Sequence, residues 1–461
     1  MKRTLATLLA TVFVASALPA PALAAPLTAA QKAKIDAIVS ETLKTTGVPS
    51  ASIAVVVDGK LDYAKAYGDQ RLDKTPPTLT ARYAIASNSK QFTAAAILLL
   101  AEEGKMSLDD KVSKYLPQLT RADEITVRQL LGHVSGIRDD WPQDYRFEAM
   151  TKPTTPEAII DQWAKAPLDF NPGAQYQYSN TGYTVAGLIF EMAAKEKLFA
   201  YEQRRIFKPL GMDVAIASVD PGSGDAHGTL RYALGPVRPI DGERAGWMFA
   251  AGDLAMSPRE IAKWDIARIN RTILKPESWQ AQETNISPAT ASSQYGLGLQ
   301  LNLTRAHPRV GHGGAWTGFL TENRIFPQDK AAIAVFTNAG FSNAQGAIAD
   351  AIEAVIFETP DDTAQARALF TMLRDGKIDR SKFTANGNFY FSKIALADFA
   401  TSLKPLGEPK SVARIGTHGL RGGFTSDRFL FTFKSRKMIA TLRAEPDGGR
   451  VEQFTFDPAG D

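Results

Sequence analysis

Between Lys90 and Glu102 the chain carries no charge: Gln91-Phe92-Thr93-Ala94-Ala95-Ala96-Ile97-Leu98-Leu99-Leu100-Ala101. A helix that is apolar on nearly every side has to lie inside a domain, so the rest of the fold must pack around this rod. Gly104 stands where a helix-ending residue with positive φ is expected. Lys90 then falls in the first turn of a buried helix, where an unpaired ammonium is costly. Ser87 precedes it by three positions, which sets both side chains on one face of the turn. Burial lowers a lysine pKa from about 10.4, and the neutral amine can take a proton from a neighbouring hydroxyl. The free N–H groups of the helix start suit a developing oxyanion. The plainer alternative is that Ser87 or Ser89 caps the helix and Lys90 snorkels to solvent. Ser-x-x-Lys is a short string; strand-like Arg82-Tyr83-Ala84-Ile85 before it and the long apolar helix after it give it weight.

The 461 residues suffice for two or three domains. Lys2-Arg3, the apolar run Leu5 to Leu18 and Pro19-Ala20-Pro21-Ala22-Leu23-Ala24 have the form of a secretory signal peptide cleaved after Ala24. The run is short for a membrane span, so no transmembrane segment is expected in the mature chain. Secretion across the inner membrane, into the periplasm, is the expected address. The absence of cysteine excludes disulfides, a lipidated N-terminal cysteine and thiol nucleophiles. A formal charge of +4, about +2 without Lys2 and Arg3, and no basic run argue against a nucleic-acid partner.

Thr28 to Thr46 has the pattern of an amphipathic helix stopped by Gly47, and Ser52–Val57 with Leu61–Ala64 flank Asp58-Gly59-Lys60 as a hairpin. From Ile125 to about Leu210 the pattern is helical with proline breaks. Ser257-Pro258-Arg259-Glu260 has the form of a capping box opening a helix through Ile269. Strands are expected over Tyr295–Leu303, Leu320–Phe326 and Ala331–Thr337, then a helix over Ala344–Phe357. Strands at both ends with helices between predict one sheet built from both termini of the unit, with a helical insertion. After a linker at 359–363, helices at Ala364–Leu373 and Lys393–Leu403 precede four strands: Ser411–Ile415, Arg428–Phe433, Met438–Arg443 and Val451–Phe456. The organisation is therefore a signal peptide (1–24), a main domain (25–358), the linker and a small α+β domain (364–461), for which a cystatin-like or nuclear-transport-factor-like fold is the expectation.

A serine–lysine centre needs a second proton-handling group and a side chain to hold an amide. Tyr178-Ser179-Asn180, after the Asn171-Pro172-Gly173 turn, supplies candidates: Tyr178 to relay a proton, Asn180 to hold a carbonyl. The alternative is that Tyr178 packs and Ser179 or Asn180 caps the following helix. His312-Gly313-Gly314 comes just before a strand; paired glycines allow close approach of a ligand, and the histidine would line the same cleft. A glycine-rich turn with a surface histidine is the alternative there. His133, His227, His307 and His418 show no ligand spacing, so no metal site and no cofactor are expected. Trp247-Met248-Phe249, Trp316 and Arg231-Tyr232 are weaker pocket candidates.

Taken in order, these strings resemble the serine β-lactamase and penicillin-binding-protein superfamily, in its class C-like branch. The resemblance spans about residues 29 to 358 and rests on Ile85-Ala86-Ser87-Asn88-Ser89-Lys90, Leu130-Leu131-Gly132-His133-Val134-Ser135-Gly136-Ile137, Tyr178-Ser179-Asn180-Thr181-Gly182-Tyr183, Pro209-Leu210-Gly211-Met212, Ala251-Gly252-Asp253-Leu254, Tyr295-Gly296-Leu297-Gly298 and Gly311-His312-Gly313-Gly314. It implies an α/β sandwich of β-lactamase/transpeptidase type, an antiparallel sheet flanked by helices. It also implies Ser87 as acylated nucleophile, Lys90 as its base and Tyr178 as the proton-handling partner. Asn180 would bind the acyl amide, with His312, Gly313 and Gly314 on the substrate side. The backbone N–H groups of Ser87 and Ala315 would form the oxyanion hole. One departure matters: β-lactamases of this branch usually carry Lys-Thr-Gly where this chain has His312-Gly313-Gly314. The expectation is an exported serine hydrolase acting on a small-molecule or peptide substrate, an ester or D-amino-acid peptide before a β-lactam. A catalytically idle binding or sensor protein of the same fold is the alternative.

Overall fold

The computed structural model describes residues 26–459 apart from 144, 219–223, 292, 358–362 and 447–448, and leaves out the side chains of 416–418 and 420. The expected signal peptide (1–24) and, except for Thr363, the linker (359–363) lie outside the described residues. Contacts divide the chain after Phe357 into two compact units.

In the first unit, helix α1 (Ala29–Thr46) opens on a capping box between Thr28 and Gln31 and stops at Gly47, whose φ is 73°. Strands β1 (Ser50–Val57) and β2 (Lys60–Gly68) form the hairpin. The apolar rod is α2 (Lys90–Glu102), buried from Lys90 to Leu100. Short α3 (Val127–Leu131), α4 (Asn180–Ala194) and α5 (Pro258–Ile269) belong to the helical insertion. The chain then returns to the sheet through β3 (Gln294–Tyr295), β4 (Gln300–Asn302), β5 (Arg309–Trp316), β6 (Phe319–Phe326) and β7 (Ala331–Thr337), and ends on α6 (Ala344–Ile356).

The seven strands run β2-β1-β7-β6-β5-β4-β3, every named pairing antiparallel. The junction of β1 with β7, register Ala51↔Thr337 to Val56↔Ala332, closes one sheet from the two ends of the unit. β1 and β7 are buried along their whole length because both sheet faces are covered. Ile53, Val55, Ile333 and Val335 pack with Ile35, Val39, Ile348 and Ile352 of α1 and α6. Ala54, Val56, Ala332, Ala334 and Phe336 face the larger core that holds α2. A buried polar network braces α2: Trp264 Nε1 donates to Gln91 Oε1 (2.7 Å), and Gln282 Nε2 to the Gln91 carbonyl (3.0 Å).

Three local expectations change. The single strand over Tyr295–Leu303 is two short strands, β3 and β4, separated by a turn at which Gly298 has φ 75°. His312–Ala315 is neither a turn nor a lead-in to a strand; it lies within β5. Ser257 does not cap α5. Its hydroxyl is buried without a partner among the described residues, and Glu260 accepts instead from the Asp213 N–H (2.8 Å) and Lys263 (2.7 Å).

Among its described residues the second unit has three α-helices, α7 (Ala364–Arg374), α8 (Ala385–Tyr390) and α9 (Lys393–Leu403), and a four-stranded antiparallel meander, β8 (Ser411–Arg421), β9 (Phe424–Thr432), β10 (Lys437–Ala444) and β11 (Val451–Pro458). Phe429 and Phe431 alternate onto the core face, Phe433 follows, and they pack with Leu369, Phe370 and Phe454.

Gly314 decides how closely β5 approaches the turn ahead of α2. A Cβ there would stand 2.1 Å from the Ile85 carbonyl oxygen and 2.3 Å from Thr321 Oγ1. Gly314→Ala is expected to cost about 2 kcal/mol by overpacking, read as a lowered urea midpoint.

Candidate active site

Ser87 lies in a 3₁₀ turn, Ala86–Ser89, that runs directly into α2. Ala86 enters it at φ 47°, an uncommon conformation for a residue with a side chain. The sheet holds this turn in place. Thr321 Oγ1 donates to the Ile85 carbonyl (3.1 Å) and accepts from Asn88 Nδ2 (2.9 Å).

Lys90 is fully buried. Its Nζ lies 3.1 Å from Ser87 Oγ, 2.8 Å from Asn180 Oδ1 and 2.8 Å from the Ala251 carbonyl oxygen. Two of these neighbours can only accept. A neutral amine has two N–H groups for them and one lone pair, which is left facing the serine hydroxyl. Desolvation pushes the Lys90 pKa from 10.5 down to about 7, against the opposing pull of Asp139 and Asp140. Tyr178 and Tyr183 turn ring faces toward the amine, with centroids 4.7 and 5.3 Å away.

Tyr178 comes just before α4. Ser179 caps that helix, its Oγ accepting from the Gly182 N–H at 3.0 Å, so both the proposed cap and the proposed site residues share one segment. The Tyr178 hydroxyl is buried without a well-formed hydrogen bond, and burial raises its pKa well above 10 although the nearby Ser87 hydroxyl works the other way. Ser87, Tyr178, Asn180 and Ala315 line one cleft of about 680 Å³, together with Asp139, Arg146, Met248, Trp316 and Tyr232. The pairing of β5 with β4 ends at Gly311↔Gln300, so beyond it that edge of β5 has no strand partner among the described residues.

His312, Gly313 and Gly314 are not among the residues that line this cleft, although Ala315, the next residue of β5, is. The His312 ring is buried behind Tyr178, at 6.0 Å between centroids. Its Nδ1 bonds to the Gly313 carbonyl oxygen (2.5 Å), which makes Nδ1 the protonated nitrogen, and Nε2 accepts from the Tyr295 hydroxyl at 2.8 Å. Desolvation and the Lys90 charge lower its pKa to about 3, so it carries no charge at neutral pH. Of the weaker candidates, Met248, Trp316 and Tyr232 reach the cleft, whereas Trp247 packs with Met150 and Ile159. Among the described residues no three His, Asp or Glu side chains are grouped to hold a metal ion.

Residues 35–356 match the profile of the beta-lactamase family. The chain belongs to that family. Among curated relatives, protein flp of Staphylococcus aureus (strain NCTC 8325 / PS 47) is 36% identical over 325 residues, covering 68% of this chain and 64% of the relative. The D-aminopeptidase of Brucella anthropi is 28% identical over 291 residues, covering 59% of this chain and 52% of the relative. This chain thus spans less than two thirds of the length of either. Among solved structures, the D-amino acid amidase of Ochrobactrum anthropi SV3 is similar with a TM-score of 0.63 and 26% identity, covering 72% of this chain and 99% of the other. The family's β-lactamase/transpeptidase fold is the fold described above, and its members include serine hydrolases.

Two groups of this beta-lactamase-family site were not assigned to it from sequence. Asp139 Oδ1 accepts from the Asn180 N–H at 2.7 Å, which fixes the start of α4 from outside the helix. His133, read from sequence as core packing, has φ 59° and accepts the Ser179 N–H on Nδ1 at 3.1 Å. Its ring lies 4.1 Å from the Tyr178 ring, centroid to centroid, so it supports both the backbone and the ring of that residue. His133→Ala is expected to lose about 3 kcal/mol in urea unfolding, by cavity formation and an unpaired N–H. His133→Asn, which tolerates positive φ and can offer an acceptor, is expected to lose less.

Proposed function

We propose that the protein is an exported serine hydrolase that cleaves an ester or amide bond through a covalent acyl-enzyme on Ser87. Lys90 acts as general base: the Ser87 proton passes to its amine as Oγ attacks the substrate carbonyl. The developing oxyanion is held by the N–H groups of Ser87 and Ala315. Tyr178 passes the proton to the leaving group and, in the second half, takes one from water, while Asn180 positions the acyl amide. Lys90 and Tyr178 exchange protons as a pair, so the observed titrations belong to both. The observation that carries this reading is the arrangement around Lys90 Nζ, two carbonyl acceptors and one hydroxyl about a desolvated amine.

The leading substrate classes are short acyl esters and D-amino-acid amides or peptides; β-lactams come third. The names of the D-aminopeptidase and the D-amino acid amidase support the second class. The uncharged His312 supports the ranking, because it offers no fixed positive charge to a β-lactam carboxylate. Export rests on the basic, apolar and small-residue sequence at residues 2–24. Among the described residues no helix is long and apolar enough to cross a membrane.

Intact-mass spectrometry after a fluorophosphonate probe is expected to show one adduct, mapped to Ser87 and lost in Ser87→Ala. An unmodified wild-type protein would point to an idle binding protein instead. Because the base must be unprotonated, kcat/KM is expected to rise with pH up to about 7 and to fall about tenfold per unit below it. A pH profile on p-nitrophenyl butyrate, beside a D-alanine amide, a D-Ala-D-Ala peptide and a chromogenic cephalosporin, reads both the limb and the substrate class. Efficient turnover of the cephalosporin alone would reverse the ranking.

A further inference from the structure

The N–H of Ala315 sits one residue from the end of β5, and its aim depends on the turn that follows. Trp316 and Phe319 pair across a two-residue turn, Thr317-Gly318. The pair that flanks such a turn is hydrogen-bonded, and the next pair along an antiparallel ladder is not. Ala315, opposite Leu320, therefore points its N–H away from β6, toward the free edge of β5 on the cleft of Ser87. Hairpin turns that match the twist of their strands have positive φ at the first central residue. Here the second has it: Gly318 is at φ 89°, and Thr317 lies outside the left-handed region. A turn of this kind splays its strands unless it is held from outside.

Two hydrogen bonds from the segment 228–243 hold it. The Thr229 N–H donates to the Gly318 carbonyl (3.2 Å), and Thr317 Oγ1 donates to Glu243 Oε1. Glu243 is in turn fixed on both sides. Arg146 Nη1 donates to the carbonyls of Asp241 (2.8 Å) and Gly242 (2.9 Å), and the Arg244 N–H donates to the Met150 carbonyl (3.1 Å). A Cβ at Gly242 would stand 1.9 Å from Trp316 Nε1, so this backbone lies directly against the indole next to Ala315. The Glu243 carboxyl is 2% exposed, and its Oε2 has no partner among the described residues. Burial raises its pKa, and an acid buried with one oxygen unpaired is a cost to the fold. Its one side-chain hydrogen bond among the described residues is the one to Thr317. Thr317 lines the cleft of Ser87; Glu243 lies behind it, in the wall of a separate cavity that shares Ile240 and Trp316 with the cleft.

Resting on the acyl-enzyme reading above, we infer that Glu243 is a positioning residue for this reaction: by holding Thr317 it fixes the end of β5, and with it the aim of the Ala315 N–H at the oxyanion. The carboxyl touches no substrate and acts through the turn. Its contribution appears as the carbonyl oxygen gains charge, so its removal lowers kcat and leaves ground-state binding alone.

The test uses the full chain, with p-nitrophenyl butyrate as substrate and propylboronic acid as inhibitor. Ser87 Oγ adds to the boron to give a tetrahedral anion that resembles the charged intermediate. Glu243→Ala is expected to lower kcat about tenfold with KM changed less than about twofold, a part of the hundredfold or more that follows outright loss of an oxyanion donor. The boronic acid is expected to bind about tenfold more weakly. Glu243→Gln keeps an oxygen for Thr317 and is expected to recover most of both losses. Should Glu243→Ala not fold, Thr317→Val removes the same hydrogen bond from its other end and is expected to show the same fall. Where both fold, the double variant is expected to be no worse than either single one. A lowered urea midpoint with kcat and boronic acid affinity unchanged would make Glu243 a stabilising residue only and overturn the inference. A loss in Glu243→Gln as large as in Glu243→Ala would overturn it too, as would a rise in KM at constant kcat. If the unaltered protein turns over no ester and takes no fluorophosphonate on Ser87, the hydrolase reading fails, and this inference with it.

Discussion

Everything at the cleft depends on keeping one amine out of water. Lys90 is the first residue of a helix whose next ten residues are buried, so its side chain has no route to solvent. The cost is limited by two carbonyl oxygens and a hydroxyl at hydrogen-bonding distance. Desolvation sets the direction of the pKa shift, and the two aspartates moderate it. The helix is apolar because of where it lies, and that placement also desolvates the lysine and lowers its pKa.

The elements legible in the sequence were those with strong local signals. The uncharged run could only be a buried helix, and α1 carried both its cap and its glycine stop. The sheet joined from both ends of the unit followed from strands flanking a helical stretch. Ser87 and Lys90 share a turn because they are three positions apart, a relation visible without coordinates. Tyr178 and Asn180 were reachable only through the order of several short strings, since nothing local ties residue 178 to residue 87.

What stayed hidden was set by tertiary contacts. β5 contains Gly311, Gly313 and Gly314, which are poor strand residues, yet it is a strand because β6 pairs with it from Val310 to Trp316. Placing His312 in that strand turns its ring inward, against Tyr295 rather than toward the cleft. Arg138-Asp139-Asp140-Trp141-Pro142 has the composition of a solvated turn. Only the packing of α4's first turn against it makes Asp139 a half-buried anchor. The Ser257 box failed because Glu260 found partners from another segment, Asp213 among them.

The neighbours that surround the buried amine are drawn from distant parts of the chain: Asn180 is 90 positions from Lys90, Ala251 is 161, and the Thr321 that steadies the Ser87 turn lies 233 from Asn88. Until β6 and β7 have been added, a growing chain lacks the closure that brings these together, and such long-range pairing is slow. During synthesis Lys90 therefore remains an ordinary hydrated ammonium, and Ser87 an ordinary alcohol. On the proposed acyl-enzyme reading, competence to attack arrives with the last strands, so a nascent or partly folded chain carries no reactive hydroxyl among the other proteins of the cell.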